Sequence, residues 1–194
     1  WITCPAVDAL GREIESRYVL AMTPEGPTAI LEMAETAGLW RLKADERDPL
    51  RATTRGVGMQ IAHAISHHAV TRIILGLGGS ATNDGGFGMA AALGVGFTGG
   101  RNLAGIRQVD FTSRIALPEI IAACDVENPL LGPRGATAVF SVQKGASPQD
   151  QIALEAALVN LVQISGGDAA ANTPGAGAAG GLGFGLLHFA GARL

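Results

Sequence analysis

The chain has 194 residues, 47% of them hydrophobic and 16% charged, with a formal net charge of −3. That length and apolar share suffice for one large domain or two small ones, each with a core. A mildly acidic chain without a Lys/Arg cluster lacks the electrostatic footprint of a nucleic-acid binder.

Trp1 opens inside what reads as a strand, and Leu194 closes just after an apolar run. With no initiator Met and no signal-peptide pattern, both ends read as cut from a longer polypeptide. Glu13–Met22 alternates, with Ile14, Ser16, Tyr18, Leu20 and Met22 on one face, as in a half-buried strand. Pro24, Gly26 and Pro27 make a turn into a second strand from Thr28 to Leu31, giving an antiparallel hairpin. Glu32–Ala37 reads as helical and Gly38 stops it. Lys43–Pro49 is a charged surface loop. Thr53 or Thr54 caps a helix over Gly56–His67, with Val57, Ile61, Ala64 and Ile65 inward. His63, His67 and His68 share its polar end, and with no local acid or cysteine they read as helix-end residues rather than metal ligands.

Val70–Leu75 is a core strand, followed by a glycine-rich turn and a helix from Asp84 to Leu93. Gly94–Gly105 is a glycine-rich connection with strand fragments. Glu119–Asp125 and Ala136–Val142 read as two further strands. Ser147-Pro148-Gln149-Asp150 is a strong helix start, and Leu154, Ala157, Leu158, Leu161 and Val162 give that helix its inner face. Gly166 and Gly167 end it. A loop over Pro174–Gly183 leads into a final apolar helix, Leu182–Ala192. Residues 174–192 carry neither acid nor Lys/Arg, but Pro174 and seven glycines argue against a membrane span. The expected architecture is one α/β domain over 1–194. Its sheet is mixed, with an N-terminal antiparallel hairpin and helices packed on it.

Glycine is the compositional outlier, with 28 residues concentrated in 76–100 and 166–191. Cys4 and Cys124 have no metal-ligand spacing and suggest reduced thiols in a cytoplasmic protein. The segment 76–88 holds six glycines in thirteen positions, with Ser80, Thr82, Asn83 and Asp84 among them. A turn with so little bulk exposes main-chain N–H groups and suits an anionic ligand, phosphate first. It is neither a Walker A loop, which requires a Lys, nor a dinucleotide fingerprint. Two other loops read as leaving strands with polar atoms: Asp125–Gly132, and Gln143-Lys144-Gly145-Ala146. Ligands in open α/β sheets gather beyond the carboxyl ends of strands, so Asp84, Asp125 and Lys144 are candidates to converge. Each also has a structural explanation: a helix-start acid, a turn-stabilising acid and a solvated lysine.

Residues 76–86 (Gly-Leu-Gly-Gly-Ser-Ala-Thr-Asn-Asp-Gly-Gly), 123–132, 143–146 and 174–181 together resemble the bacterial kinases that act on D-glycerate. Arg47-Asp48-Pro49-Leu50 and Gly56-Val57-Gly58 fit the same pattern. One departure is Ser141-Val142, where that family usually has Gly-Pro. The resemblance implies a parent roughly twice this length, in which a flavodoxin-like domain, absent from this chain, flanks an inserted α/β domain like this one. It implies transfer of the ATP γ-phosphoryl group to D-glycerate, with 2-phosphoglycerate the favoured product and Mg2+ as cofactor. It places Gly78, Gly79, Ser80, Thr82 and Asn83 on phosphate or the glycerate carboxylate, with Asn128, Gln143, Gly175 and Gly177 as further binding positions. It gives Asp84 or Asp125 the metal or the hydroxyl proton, and Lys144 the developing phosphate charge. The expected partners are D-glycerate and a nucleotide, with a homodimer also open, and neither nucleic acid nor a membrane. This fragment alone is expected to be inactive. A non-catalytic anion-binding module, or another phosphate-handling enzyme on the same scaffold, is the alternative.

Overall fold

The computed structural model describes residues 1–100 and 103–194. The elements in chain order are β1 (Ile2–Val7), β2 (Glu13–Thr23), β3 (Gly26–Glu32), α1 (Ala34–Ala37), α2 (Arg55–His68), β4 (Arg72–Gly76), α3 (Phe87–Ala92), β5 (Gly96–Gly99), β6 (Ile106–Asp110), β7 (Glu119–Ala123), α4 (Ala136–Phe140), α5 (Pro148–Ser165), α6 (Asp168–Ala171) and α7 (Ala178–Ala190). One five-stranded sheet has the order β1-β2-β3-β4-β7, and β5 with β6 forms a small antiparallel ribbon. The hairpin of β2 and β3 is antiparallel, with Val19 opposite Ile30 and Thr23 opposite Gly26. From β3 onward the sheet is parallel, so Glu32, Gly76 and Ala123 lie side by side at its carboxyl edge.

Alternation decides which residues of β2 are buried: Ser16 and Tyr18 face inward, whereas Met22, near the strand end, is exposed. One core cluster joins the sheet residues Leu31, Ile73, Leu75 and Ile120 to Val57 and Ile61 of α2 and Leu182 and Leu186 of α7. A second gathers Leu158, Leu161 and Val162 of α5 with Phe184 and Phe189 of α7. The α5 start is a complete capping box: Asp150 N–H donates to Ser147 Oγ at 3.2 Å, and Ser147 N–H donates to Asp150 Oδ2 at 2.8 Å. Among the described residues no helix is long and apolar enough to cross a membrane.

Three sequence expectations are corrected. Residues 136–142 form α4 and a 3-10 turn rather than a strand. Their Thr and Val suggested β structure, but the outer edge of β7 is already taken. Ala122 N–H donates to Arg193 O at 2.8 Å and Arg193 N–H to Ile120 O at 3.0 Å, so no sheet position remains for them there. The helix after β4 begins at Phe87, not Asp84, because Gly85 and Gly86 are left-handed, with φ of +61° and +75°. Glu32 closes β3 instead of opening a helix. The final helix is regular from Leu182, as expected, since Ala179, Gly180 and Gly181 before it are all left-handed.

Near the end of α2, the Tyr18 hydroxyl lies 2.9 Å from His63 Nδ1, and the His63 and His67 rings stack at 4.0 Å. Burial first, and then the nearby His67 and His68, hold His63 below its ordinary value of 6.5. The fold thus favours the neutral ring. That contribution is whole above the ordinary value and is lost as pH falls through the lower folded one. Urea midpoints measured from about pH 7.5 down to about 5 are expected to fall in the wild type and to fall less in His63→Gln.

Candidate anion-binding site

The glycine loop leaves β4 at the carboxyl edge of the sheet and is strapped to two neighbours. Leu77 N–H donates to Ala123 O at 3.3 Å, joining its root to the exit of β7. On the other side it lies along residues 33–39. Met33 N–H donates to Gly76 O at 3.0 Å, Leu39 N–H to Gly79 O at 2.9 Å, and Ala81 N–H to Ala37 O at 2.8 Å. Carbonyls anchored in this way fix the peptide planes, and in a trans peptide the following N–H points the opposite way. The anchored Gly79 carbonyl therefore turns Ser80 N–H away from residue 39. Among the described residues the N–H groups of Gly78, Gly79, Ser80, Thr82 and Asn83 meet no acceptor. Main-chain donors rarely go unpaired, and a run of them suits anionic oxygens. Gly78 and Gly79 are exposed, while Ser80, Thr82 and Asn83 are buried. Gly79, at φ +72°, makes the turn that a side chain would strain.

Beneath the loop lies the second glycine-rich segment. Gly85 N–H donates to Gly180 O at 3.1 Å, and Thr82 Oγ1 to Ala179 O at 3.5 Å. A Cβ on Gly180 would overlap the Thr82 carbonyl, and Gly180 also has φ +68°. Only glycine meets both conditions. Gly177 N–H donates to Asn128 O at 2.8 Å, while the Asn128 side chain donates to Arg134 O at 2.8 Å. Gly175, at φ +88°, packs against Cys124 and Val126. These three expected binding positions therefore hold the site's loops to one another.

Asp84 is nearly buried and its oxygens are committed. Oδ2 accepts from Thr54 N–H at 2.8 Å, Thr54 Oγ1 at 2.9 Å and Gly88 N–H at 3.1 Å, and Oδ1 accepts from Gly86 N–H at 3.1 Å. Thr54 Oγ1 in turn accepts from Met89 N–H at 2.9 Å, so the carboxylate ties the start of α2 to the start of α3. Burial pushes its pKa up, opposed by those four hydrogen bonds. Lys144 is 1% exposed, and its ammonium donates to the Thr82 carbonyl at 2.6 Å. Burial pulls its pKa down to about 7 against the opposing field of Asp84. Its place is below the loop, and it follows α4 rather than a strand. Gln143 is exposed, with its carbonyl accepting from Arg47 Nη1 at 3.4 Å. Asn83 Nδ2 donates to Thr137 Oγ1 at 3.0 Å, and Asn83 Oδ1 is buried without a protein partner. Asn83 and Asp84 also line a cleft of about 560 Å³ whose walls include Leu50, Arg51, Phe87 and Leu154.

The structure thus brings Thr82, Asn83, Asp84 and Lys144 together with Gly180, and seats Asp125 at the neighbouring strand exit, exposed. Among the described residues no group of three or more His, Cys, Asp or Glu is placed to hold a metal ion. Asp84 accepts four hydrogen bonds from the protein, three of them on Oδ2, whereas Asp125 is open to solvent. One acid escaped the sequence reading. Glu32, the last residue of β3, is exposed, and its carboxylate occupies the space where a side chain on Gly76 would sit. Its signal was the position itself, an acid at the carboxyl end of a strand, hidden because the residue read as the first of a helix.

Comparison with known proteins identifies the family. The model of the glycerate kinase family matches residues 1–194. Glycerate kinase of Bacillus subtilis (strain 168) is 43% identical over 188 residues, covering 89% of this chain and 49% of that protein. Glycerate 2-kinase of Escherichia coli (strain K12) is 40% identical over 210 residues, covering 100% of this chain and 53% of that protein. A crystal structure from Salmonella typhimurium LT2, assigned as glycerate kinase 2, superposes with a TM-score of 0.90 at 35% identity, covering 100% of this chain and 55% of that one. The chain spans about half the length of these relatives. From end to end of its 194 residues, this chain belongs to the glycerate kinase family.

Proposed function

We propose that the protein containing this chain transfers the γ-phosphoryl group of ATP to D-glycerate, at the 2-hydroxyl, and that this chain supplies the anion-holding half of the cleft as an inserted α/β domain. The observation that carries the reading is the run of unpaired main-chain donors at Gly78, Gly79, Ser80, Thr82 and Asn83. Phosphoryl transfer is catalysed chiefly by positioning and by charge stabilisation, and fixed N–H dipoles provide both without reorganising during the reaction. The carboxylate of glycerate and the oxygens of the transferred group are the anions this loop suits. A divalent cation, when bound, would neutralise phosphate charge. Among the described residues no group of three or more His, Cys, Asp or Glu is placed to hold one. Asp84 serves that loop by holding it to α2 and α3. The relatives' names, glycerate kinase and glycerate 2-kinase, support the substrate and the acceptor position.

Two outcomes are expected. The full-length protein given ATP and D-glycerate releases ADP, and phosphorus NMR identifies 2-phosphoglycerate. A product of 3-phosphoglycerate would refute the acceptor position, and no turnover would refute the substrate. Asp84→Asn turns an NH2 group toward donors that need an acceptor and is expected to cost on the order of 3 kcal/mol of stability, read from the urea midpoint. An unchanged midpoint with a collapse in kcat would return Asp84 to the chemistry.

A further inference from the structure

Asp84 holds four hydrogen bonds that tie α2 to α3, and a second carboxylate, with no such bonds among the described residues, stands at the mouth of the loop. We infer that Glu32 is the catalytic base of the proposed kinase reaction, an assignment that rests on the functional reading above. Three observations lead to it. First, β3, β4 and β7 run parallel and in register, so Glu32 stands beside Gly76, the residue from which the anion-holding loop departs. Paired residues of one register project to the same face of a sheet. Gly76 leaves that face empty, and the Glu32 carboxylate lies in the vacant space.

Second, the backbone around Glu32 is fixed relative to the donors. The bonds Met33 N–H to Gly76 O, Leu39 N–H to Gly79 O, and Ala81 N–H to Ala37 O bracket the two segments on both sides of the site. Ala34 Cβ also comes within 3.6 Å of where a side chain on Gly79 would begin. Such bracketing is what holding a base and an electrophile at reacting distance demands. Third, the carboxylate is uncommitted. Among the described residues Glu32 has no ion pair or side-chain hydrogen bond, in contrast to Glu35, which faces Arg17 and Arg41. Asp125 is also exposed, but among the described residues its strand exit is joined only to the root of the loop, by Leu77 N–H to Ala123 O, and no bond ties residues 124–132 to the donors at 78–83.

In the reaction the glycerate hydroxyl oxygen attacks the γ-phosphorus and a new P–O bond forms. The bond from that phosphorus to the β,γ-bridging oxygen breaks, and its electron pair leaves with ADP. The hydroxyl proton passes to a Glu32 carboxylate oxygen and from there to solvent, which the exposure of Glu32 permits.

The test uses the full-length protein, wild type and Glu32→Gln, with ATP and D-glycerate. The expected result is a kcat lowered by about 100-fold or more, KM for both substrates within about threefold, and an unchanged melting temperature, since no partner is lost. Glu32→Gln with kcat within about threefold of wild type would overturn the assignment. So would a variant whose loss falls on KM alone, or one that loses activity together with melting temperature. A wild-type protein that leaves D-glycerate unphosphorylated would overturn the functional reading and this assignment with it, an outcome distinct from the others.

Discussion

The contact on which this site depends is between backbones. The Thr82 carbonyl occupies the space that a side chain on residue 180 would fill, and Lys144 grips the same oxygen. Two glycine-rich segments almost a hundred residues apart can approach this closely only because neither carries bulk at the contact. From that approach follows the rest. Gly85 bonds Gly180, the left-handed turn at Ala179–Gly181 is fixed, and Asp84 reaches Thr54. Ala179 keeps a positive φ without being glycine, which costs on the order of 1–2 kcal/mol and persists only where the surroundings impose it.

Two buried charges lie within this contact. Among the described residues neither Lys144 nor Asp84 forms a direct ion pair, yet the field of Asp84 favours the charged form of Lys144. Each is also spent on main-chain groups: one ammonium on a carbonyl, one carboxylate on three N–H donors and a hydroxyl. Burying charges in this way is costly, and it is tolerated where the charges fix a conformation. What they fix is the orientation of successive peptide planes. Carbonyls turned inward at Gly79 and Thr82 leave the N–H groups of Ser80 and Asn83 turned the other way. The conformation of this loop is thus held from beneath by two buried charged side chains.

Much of this was legible from residue pattern. Alternation in Glu13–Met22 marked β2, the Ser147 box marked α5, and glycine density marked both loops. What the pattern could not carry was competition for position. Thr137 and Val139 favour a strand locally, but Arg193 already pairs with the sheet edge they would have needed, so that segment closes as a helix over α5 and α7. Roles were harder to read than places. An aspartate at a helix start and one at an active site look alike in a sequence, and the four donors around Asp84 come only with the fold. Glu32 was hidden for a related reason: Glu is a good helix former, and whether it ends a strand or begins a helix depends on pairing with β4, a long-range fact.

Arg193 has a consequence beyond α4. By lying along β7 it leaves the five-stranded sheet with one unpaired margin, at β1. That strand is interrupted by Pro5, which has no N–H to offer. Open margins invite other chains to add strands, and proline-broken ones resist it. The same few residues that deny α4 a place in the sheet thus also limit runaway strand-on-strand association between copies.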